Sequence, residues 1–412
     1  MPIRPMRVIF TNRYFYPDHS ATSQMLSDLA FFLAGAGHEV GVVTSRQRYD
    51  DAAAGLPPHE RIDGVEVHRV RTARFGRDKL VGRALDYATF YLAAGWKLWR
   101  LTRAGDVLVA KTDPPLISVV AAIVARVRGA RLVNWVQDVF PEVADALGVR
   151  ALNGPQAEVL RWMRNRAFGS AAANVVLGAR MAEVVGRAGG LPERTRVIPN
   201  WADMEAIRPV AAADNPLRRE WGLDSKFVVC YSGNMGRVHE FDTILNAAQS
   251  LAGMAESMVF LFIGDGAQRR MLEDEVHRRG LVNVQFRPYQ DRAGLSFSLG
   301  VGDVHLVSQR PEVEGYVFPS KLYGILAAGR PAVFVGDPEG EISQFVTREG
   351  IGAAVRQGDA AGLANQLLRL QSNAALREAM GARARTLLCE RYDKRIAFKA
   401  WAALLNELSG AS

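Results

Sequence analysis

Two stretches in the second half of the chain carry residues suited to holding phosphate. The first, GYVFPSKLYGILAAGRP, runs from Gly315 to Pro331. Leu322, Ile325 and Leu326 recur at helical spacing, so a short helix is expected after Ser320. Ser320 is its expected N-cap, and Gly329 and Pro331 are stop signals. Lys321 beside a helix start suits an anion, because unpaired N–H groups and the helix dipole both favour negative charge. The alternative is a well-capped core helix. The second stretch, CYSGNMGRVHEFDTIL, reads as strand, glycine-bearing loop and helix. Gly233 and Gly236 let backbone approach a phosphate, and Arg237 can make charge-assisted bonds to it. The alternative there is a plain tight turn. The spacing is neither GxGxxG nor a Walker A loop, which disfavours a dinucleotide or a P-loop nucleotide. Together the two stretches supply two cations and two sets of N–H groups, which suits the diphosphate of a sugar nucleotide.

Carboxylates come from the first half. Asp138 and Glu142 follow the strand-like RLVNWVQ, and Asp113 lies in KTDPPL. Asp138 can orient or deprotonate a hydroxyl, with Glu142 as its backup. The competing role for Asp138 is capping the turn at Pro141. No Asp-x-Asp metal motif stands out, so no metal is expected and Lys321 and Arg237 would take its place.

These residues are positioned by a regular alternation. MRVIFT, HEVGVVTS, DVLVAK, ARLVNWVQ and ANVVLG read as strands with helical patterns between them. KFVVCYSGN, MVFLFIGDG, NVQFRPY, DVHLVS, PAVFVG and IGAAVR repeat the scheme. Such alternation predicts an α/β protein with parallel sheets covered by helices. The Pro-rich, aperiodic stretch from Arg196 to Pro216 reads as a linker between two series. Two Rossmann-like domains facing each other across a cleft are expected, over 1–199 and 200–390, with ligands at the carboxyl ends of the strands. Residues 391–412 form an amphipathic helix expected to pack back on the first domain.

The chain has 412 residues, too long for one ordinary core. Its start goes straight into a strand-like run without the apolar stretch of a signal peptide. No apolar run is long enough to span a bilayer. Cys230 and Cys389, far apart, indicate neither a disulfide framework nor a cysteine metal site, and a cytoplasmic protein is the simplest expectation. The net charge of +8 attracts phosphates without choosing among them. No zinc spacing, RNA-binding aromatic signature or helix-turn-helix pattern supports nucleic acid as a partner.

On these motifs the chain resembles the GT-B glycosyltransferases of the large retaining family 4. YFYPDHSATSQMLSDLAFFLAGAGHEVGVVTS is similar to that family's opening, and VIPNWAD to its interdomain segment. YSGNMGRVHEFDTILNAA, FLFIGDGAQRRMLE, VQFRPY and YVFPSKLYGILAAGRPAV follow in the order of its nucleotide-binding half. With WVQDVFPEVADALG, the nearest subset is bacterial transferases that build O-antigen, capsule or exopolysaccharide repeat units. The resemblance implies a nucleotide-sugar donor, with UDP favoured, bound by the second domain. Arg237 and Lys321 would hold the diphosphate, beside Ser320, over a loop of Gly233, Asn234 and Gly236; Arg287, Pro288 and Tyr289 would lie by the base. The first domain would bind a lipid-linked or polysaccharide acceptor, with the loop carrying Tyr16, Pro17, Ser20 and Thr22 near the reacting centre. No cofactor is implied.

Two departures stand out. The family's paired glutamates fall here at Tyr316 and Gly324, and Glu312 or Glu314 is the nearest substitute for the first. The family's second lysine is replaced in RVHEFD by His239 and Glu240, which leaves Lys321 as the compensating cation. A nucleotide-sugar epimerase on the same fold is the alternative activity. It needs carboxylates and a histidine converging on the sugar, and His19, His239 and His305 come without such a pairing. A sugar-binding protein without catalysis is the third reading; such proteins are usually exported, which the start of the chain disfavours.

A further surface is expected between Arg69 and Arg103. Arg69, Arg71, Arg74, Arg77, Lys79 and Arg83 precede a helix bearing Tyr87, Phe90, Tyr91, Trp96 and Trp99, closed by Lys97, Arg100 and Arg103. RWMRNR, from Arg161 to Arg166, adds a second patch. Aromatics with cations suit peripheral contact with an anionic membrane, here the inner leaflet; the alternative is a buried helix with solvated arginines.

Overall fold

The computed structural model describes residues 6–49, 51, 53–75, 80–149 and 154–410. Arg77 and Lys79 of the basic run lie outside the described residues. The chain divides into two α/β units. One holds Met1–Pro199, Gly315–Phe318 and Ala397–Ser412; the other holds Asn200–Glu314 and Pro319–Ile396.

The first unit is built on an eight-stranded sheet. Its strands are β1 (Arg7–Thr11), β2 (Glu39–Ser45), β3 (His59–Ile62), β4 (Val65–Val70), β5 (Val107–Lys111), β6 (Arg131–Trp135), β7 (Ala173–Val176) and β8 (Thr195–Val197). Their order is β3-β4-β2-β1-β5-β6-β7-β8, parallel except for the β3–β4 hairpin. That hairpin is absent from the sequence-level reading, although IDGV signals it. Asp63 (φ 46°) and Gly64 (φ 84°) both take the positive φ that a two-residue hairpin turn requires.

The second unit holds β9 (Phe227–Ser232), β10 (Met258–Ile263), β11 (Val284–Arg287), β12 (Val304–Ser308), β13 (Ala332–Gly336) and β14 (Gly352–Arg356). They run parallel in the order β11-β10-β9-β12-β13-β14. Every residue of β10, β12 and β13 is buried. Both faces of such a sheet are covered, which is why β10 and β13 read as continuous apolar runs, while β12 also buries His305 and Ser308. In each sheet the chain order reverses beside the first strand, at β1 and at β9, and the carboxyl end of that strand opens the crevice where ligands settle in this architecture.

The first unit takes two pieces of distant sequence. Tyr316 accepts a hydrogen bond from the Val139 N–H at 2.8 Å, and Val317 pairs with Asp138. Tyr316 and Phe318 pack on Val136, Val139 and Met181, so these four residues leave the expected 200–390 block. The helix Lys394–Gly410 brings Trp401, fully buried, edge-on to Trp135 at 4.8 Å, and stacks Phe398 on Phe32 at 4.6 Å. Truncating Trp401 to alanine would cost about 3–5 kcal/mol by the cavity it leaves.

Candidate functional site

In the second unit, β9 ends against a turn at Gly233, whose φ of +130° excludes a side chain. A Cβ there would lie 3.4 Å from Lys321 Cε and 3.6 Å from its Nζ, so the lysine presses on the turn. Lys321 Nζ sits 3.5 Å from the centre of the Tyr231 ring and has no hydrogen-bond acceptor among the described residues. Burial strips its hydration and holds the amine well below the usual lysine range. Asn234, Gly236 and Arg237 have no backbone N–H partner among the described residues, and the Arg237 side chain is exposed and unpaired.

The loop after β10 completes the cradle, and it is absent from the sequence-level site. A Cβ on Gly264 would fall 2.2 Å from the Gly233 carbonyl oxygen, and one on Gly266 2.4 Å from Asn234 Oδ1. Only glycine lets the two backbones meet so closely. Met235 N–H donates to the Asp265 carbonyl at 2.8 Å, Gln268 Nε2 to the Gly236 carbonyl at 2.6 Å, and the Tyr231 hydroxyl to the Asn234 carbonyl at 2.8 Å. These bonds fix the loop. The signal was Gly-Asp-Gly directly after a wholly apolar strand.

Tyr289 is half-exposed, and its ring reaches to 3.3 Å of the Cβ position of Gly264, next to exposed Pro288. Arg287 instead turns inward, donating to Gln285 Oε1 at 3.1 Å and lying 5.4 Å over the Trp221 ring. Ser320 departs from its expected cap role: its backbone is already helical (φ −59°, ψ −22°) and its side chain makes no capping bond to Lys321–Ala327. Gly329 (φ 61°) ends that helix as expected. A side chain on Gly324 would start 3.3 Å from Leu299 Cδ1, against an apolar neighbour. Glu314 accepts the first N–H of the helix Glu341–Arg348 at 2.8 Å, so its carboxylate serves that helix, while Glu312 is exposed. His239 and His305 each contact a backbone carbonyl, of Ser308 at 2.5 Å and of Leu299 at 2.8 Å. Burial, with Lys321 adding, lowers His239 to about 3, and burial lowers His305 to about 4. Both are neutral at pH 7.

In the first unit, Thr22 lies in the first turn of the helix Ala21–Gly35 rather than in the preceding loop, and its Oγ1 donates to Asp113 Oδ2 at 3.0 Å, just beyond β5. Ser20 donates to Asp18 at 2.5 Å through its hydroxyl and at 2.8 Å through its N–H, and Asp18 also accepts from the Tyr49 N–H. Tyr16, half-exposed and followed by Pro17, gives its carbonyl to Arg69 Nη2 at 2.8 Å. Asp138 lies at the end of β6. It keeps contact with solvent, but crowding by protein pushes its carboxyl up to about 7, Asp113 adding and Lys111 opposing. It does not cap the helix Glu142–Ala146, whose N-cap position is Pro141. Glu142 is drawn away into an ion pair, 2.5 Å from Arg164 and 3.8 Å from Arg161. Lys111, missed at the sequence level, is fully buried with Nζ 3.7 Å from the Trp135 ring centre and no acceptor. A lysine closing the otherwise apolar strand DVLVAK was its signal.

The aromatic helix Leu80–Leu101 divides cleanly. Phe90, Ala94 and Leu98 are buried, while Trp96, 61% exposed, stacks on Trp99 at 5.1 Å. Exposed Ile123 and Val127 lie on the adjacent helix Ile117–Arg128. On Pro155–Ser170, Trp162 is 59% exposed under Arg166 at 5.1 Å. Among the described residues no helix is long and apolar enough to cross a membrane.

Comparison with known proteins agrees with this layout. Residues 21–201 match the glycosyl transferase 4-like domain, and residues 214–387 match glycosyl transferases group 1. The chain is 26% identical over 388 residues to WcaI of Escherichia coli K12, named as a colanic acid biosynthesis glycosyl transferase, covering 90% of this chain and 95% of WcaI. It is 28% identical over 369 residues to WbjE of Pseudomonas aeruginosa, named as a glycosyltransferase, covering 87% and 89%. The structure of Anabaena HepE in complex with UDP-glucose superposes with a TM-score of 0.72 at 17% identity, over 98% of this chain and 100% of that one.

Proposed function

The chain belongs to the group 1, GT4-like glycosyltransferases of GT-B fold, and from that premise we propose that it moves a sugar, with retention, from a UDP-sugar to a lipid-linked saccharide in bacterial cell-surface polysaccharide synthesis. The observation that carries this reading is Lys321: a buried amine without an acceptor among the described residues, pressed on the Gly233 turn, whose loop also carries Arg237. A diphosphate supplies the missing anion and restores the charged amine. HepE, solved with UDP-glucose, supports UDP as the base-bearing half, with Tyr289 as the surface for the base.

In the reaction the bond between the anomeric carbon and the diphosphate oxygen breaks, and an acceptor hydroxyl oxygen bonds that carbon on the same face. The hydroxyl proton passes to the leaving diphosphate oxygen, and Asp138 orients the hydroxyl. Lys321, Arg237 and the loop N–H groups stabilise the leaving diphosphate, the charge-stabilising role that dominates such catalysis. These cations occupy the role of a divalent metal, and transfer proceeds without one. The first unit binds the acceptor. Its three-helix face with Trp96 and Trp162 rests on the inner face of an anionic membrane, as interfacial aromatics flanked by arginines do.

The test is calorimetric titration of the protein with UDP and GDP, with and without Mg²⁺. Binding of UDP without metal, weakened at least ten-fold in Arg237→Ala, is the expected result. Equal UDP affinity in that variant would sink the assignment.

A further inference from the structure

We infer that a cavity at the carboxyl ends of β2 and β4 is an anion site that binds a diphosphate ester. The cavity measures about 360 Å³ and is lined by Arg46, Gln47, Arg71, Thr72 and Arg74. Three of the five lining side chains are guanidinium groups and none is a carboxylate. Arg71 and Arg74 are exposed and have no hydrogen-bond or ion-pair partner among the described residues. Thr72 Oγ1 is buried without a hydrogen-bond partner among the described residues. Three like charges around one cavity repel each other, and no carboxylate lines it among the described residues.

The walls are built rather than loose. β2 and β4 pair in register, with Ser45 opposite Val70, so both loops leave the sheet side by side. Arg46 is held by the carbonyls of Leu56 at 2.6 Å and Gly55 at 3.2 Å. Gln47, itself buried, ties the two walls together by donating to the Ala73 carbonyl at 2.8 Å, and Arg13 donates to its Oε1 at 3.3 Å. The second wall is pinned to the helix Leu80–Leu101, where Ala73 N–H donates to Thr89 Oγ1 at 3.0 Å and Phe75 N–H to Asp86 at 2.9 Å. Arg46 is therefore in place before an anion arrives, and the backbone that carries Arg71 and Arg74 is fixed, so only those two side chains have to be ordered on binding.

Charge selects the ligand. A single carboxylate leaves most of the positive charge uncompensated, whereas a diphosphate brings two or more charges and several oxygens in the geometry that guanidinium forks match. The place also fits. Asp18 joins the loop carrying Tyr16 and Ser20 to Tyr49, three residues beyond Arg46. The segment that supplies Arg46 and Gln47 is thus tied to the loop assigned above to the acceptor. The ligand's identification with the acceptor's own diphosphate rests on the proposed function, while the anion site stands on the geometry alone.

The probe is inorganic pyrophosphate, titrated calorimetrically into the full chain with and without saturating UDP. Wild type should bind pyrophosphate in the presence of UDP, and Arg71→Gln/Arg74→Gln should lose at least ten-fold in affinity. Lys321→Met should retain that binding, and the double variant should keep its melting temperature and its UDP affinity. Unchanged pyrophosphate affinity in the double variant, or its loss in Lys321→Met, overturns the proposal. Sedimentation with phosphatidylglycerol vesicles separates the other source of phosphate. If the double variant leaves the vesicles but keeps pyrophosphate, the arginines serve bilayer headgroups and the diphosphate assignment falls. UDP titration of wild type reports on the donor reading independently, so failure of one assignment is not mistaken for failure of the other.

Discussion

Lys321 Nζ and the Tyr231 ring lie 3.5 Å apart, and among the described residues the amine has no hydrogen-bond acceptor. Held charged, the amine would recover about 2 kcal/mol from the ring, less than the several kcal/mol that burying an ammonium costs, so burial holds it well below the usual lysine range. The free protein therefore carries an unfavourable group that a bound anion would relieve.

That imbalance makes a two-sided prediction. Lys321→Met keeps the volume and removes the buried amine, so the variant should melt at or above the wild-type temperature. Its UDP affinity should fall about ten- to a hundred-fold, the loss of one charge-assisted bond of about 1.5–3 kcal/mol. Thermal denaturation with and without UDP checks both. A variant that melts lower and still binds UDP would contradict the account.

Asp138 carries the pH dependence. With its carboxyl raised from 3.8 to about 7, it is ionised and able to accept from the acceptor hydroxyl only above that pH. Transfer should rise through about pH 7 in wild type, and Asp138→Asn should be slower and lack that limb. Stability runs the other way. An acid bound more tightly by the folded chain contributes stability that is full below its unfolded pKa and is lost as pH rises to about 7. Asp138→Asn should gain on wild type in melting temperature between about pH 4 and pH 8. A constant difference would show that its pKa is unshifted.

Glu142 and Arg164 predict a structural loss instead. Arg164 is buried, and Glu142 is the carboxylate that compensates it at 2.5 Å. Glu142→Ala leaves a guanidinium buried without its counter-charge and should cost about 3–5 kcal/mol. Urea unfolding measures this. The surviving folded fraction should show the wild-type pH profile of transfer, because that profile belongs to Asp138.

The aromatic face is tested by Trp96→Ser/Trp162→Ser. Both rings are exposed, so melting should change little while co-sedimentation with anionic vesicles falls several-fold. A large drop in melting temperature with vesicle binding intact would return these rings to a packing role.

The strand–helix alternation was legible because each strand is a local apolar run with glycine or proline punctuation, and burial on both faces leaves that mark in the sequence. The glycine turn at Gly233 was legible for a similar reason: close backbone approach restricts residue type. What local pattern did not carry was partnership. Glu142 and Asp138 look equivalent four residues apart, and only the fold gives one to Arg164 and leaves the other in contact with solvent. Ser320 looks like a cap, but its backbone already lies inside the helical turn. Gly264 and Gly266 complete the cradle because β10 lies beside β9, a pairing set by sheet order. The transfer of Gly315–Phe318 to the first unit and the gathering of Arg46, Arg71 and Arg74 around one cavity have the same origin. Residue type reports the local conformation and burial a position demands; which distant group meets it is decided by tertiary packing, where contacts between remote segments leave no periodicity to read.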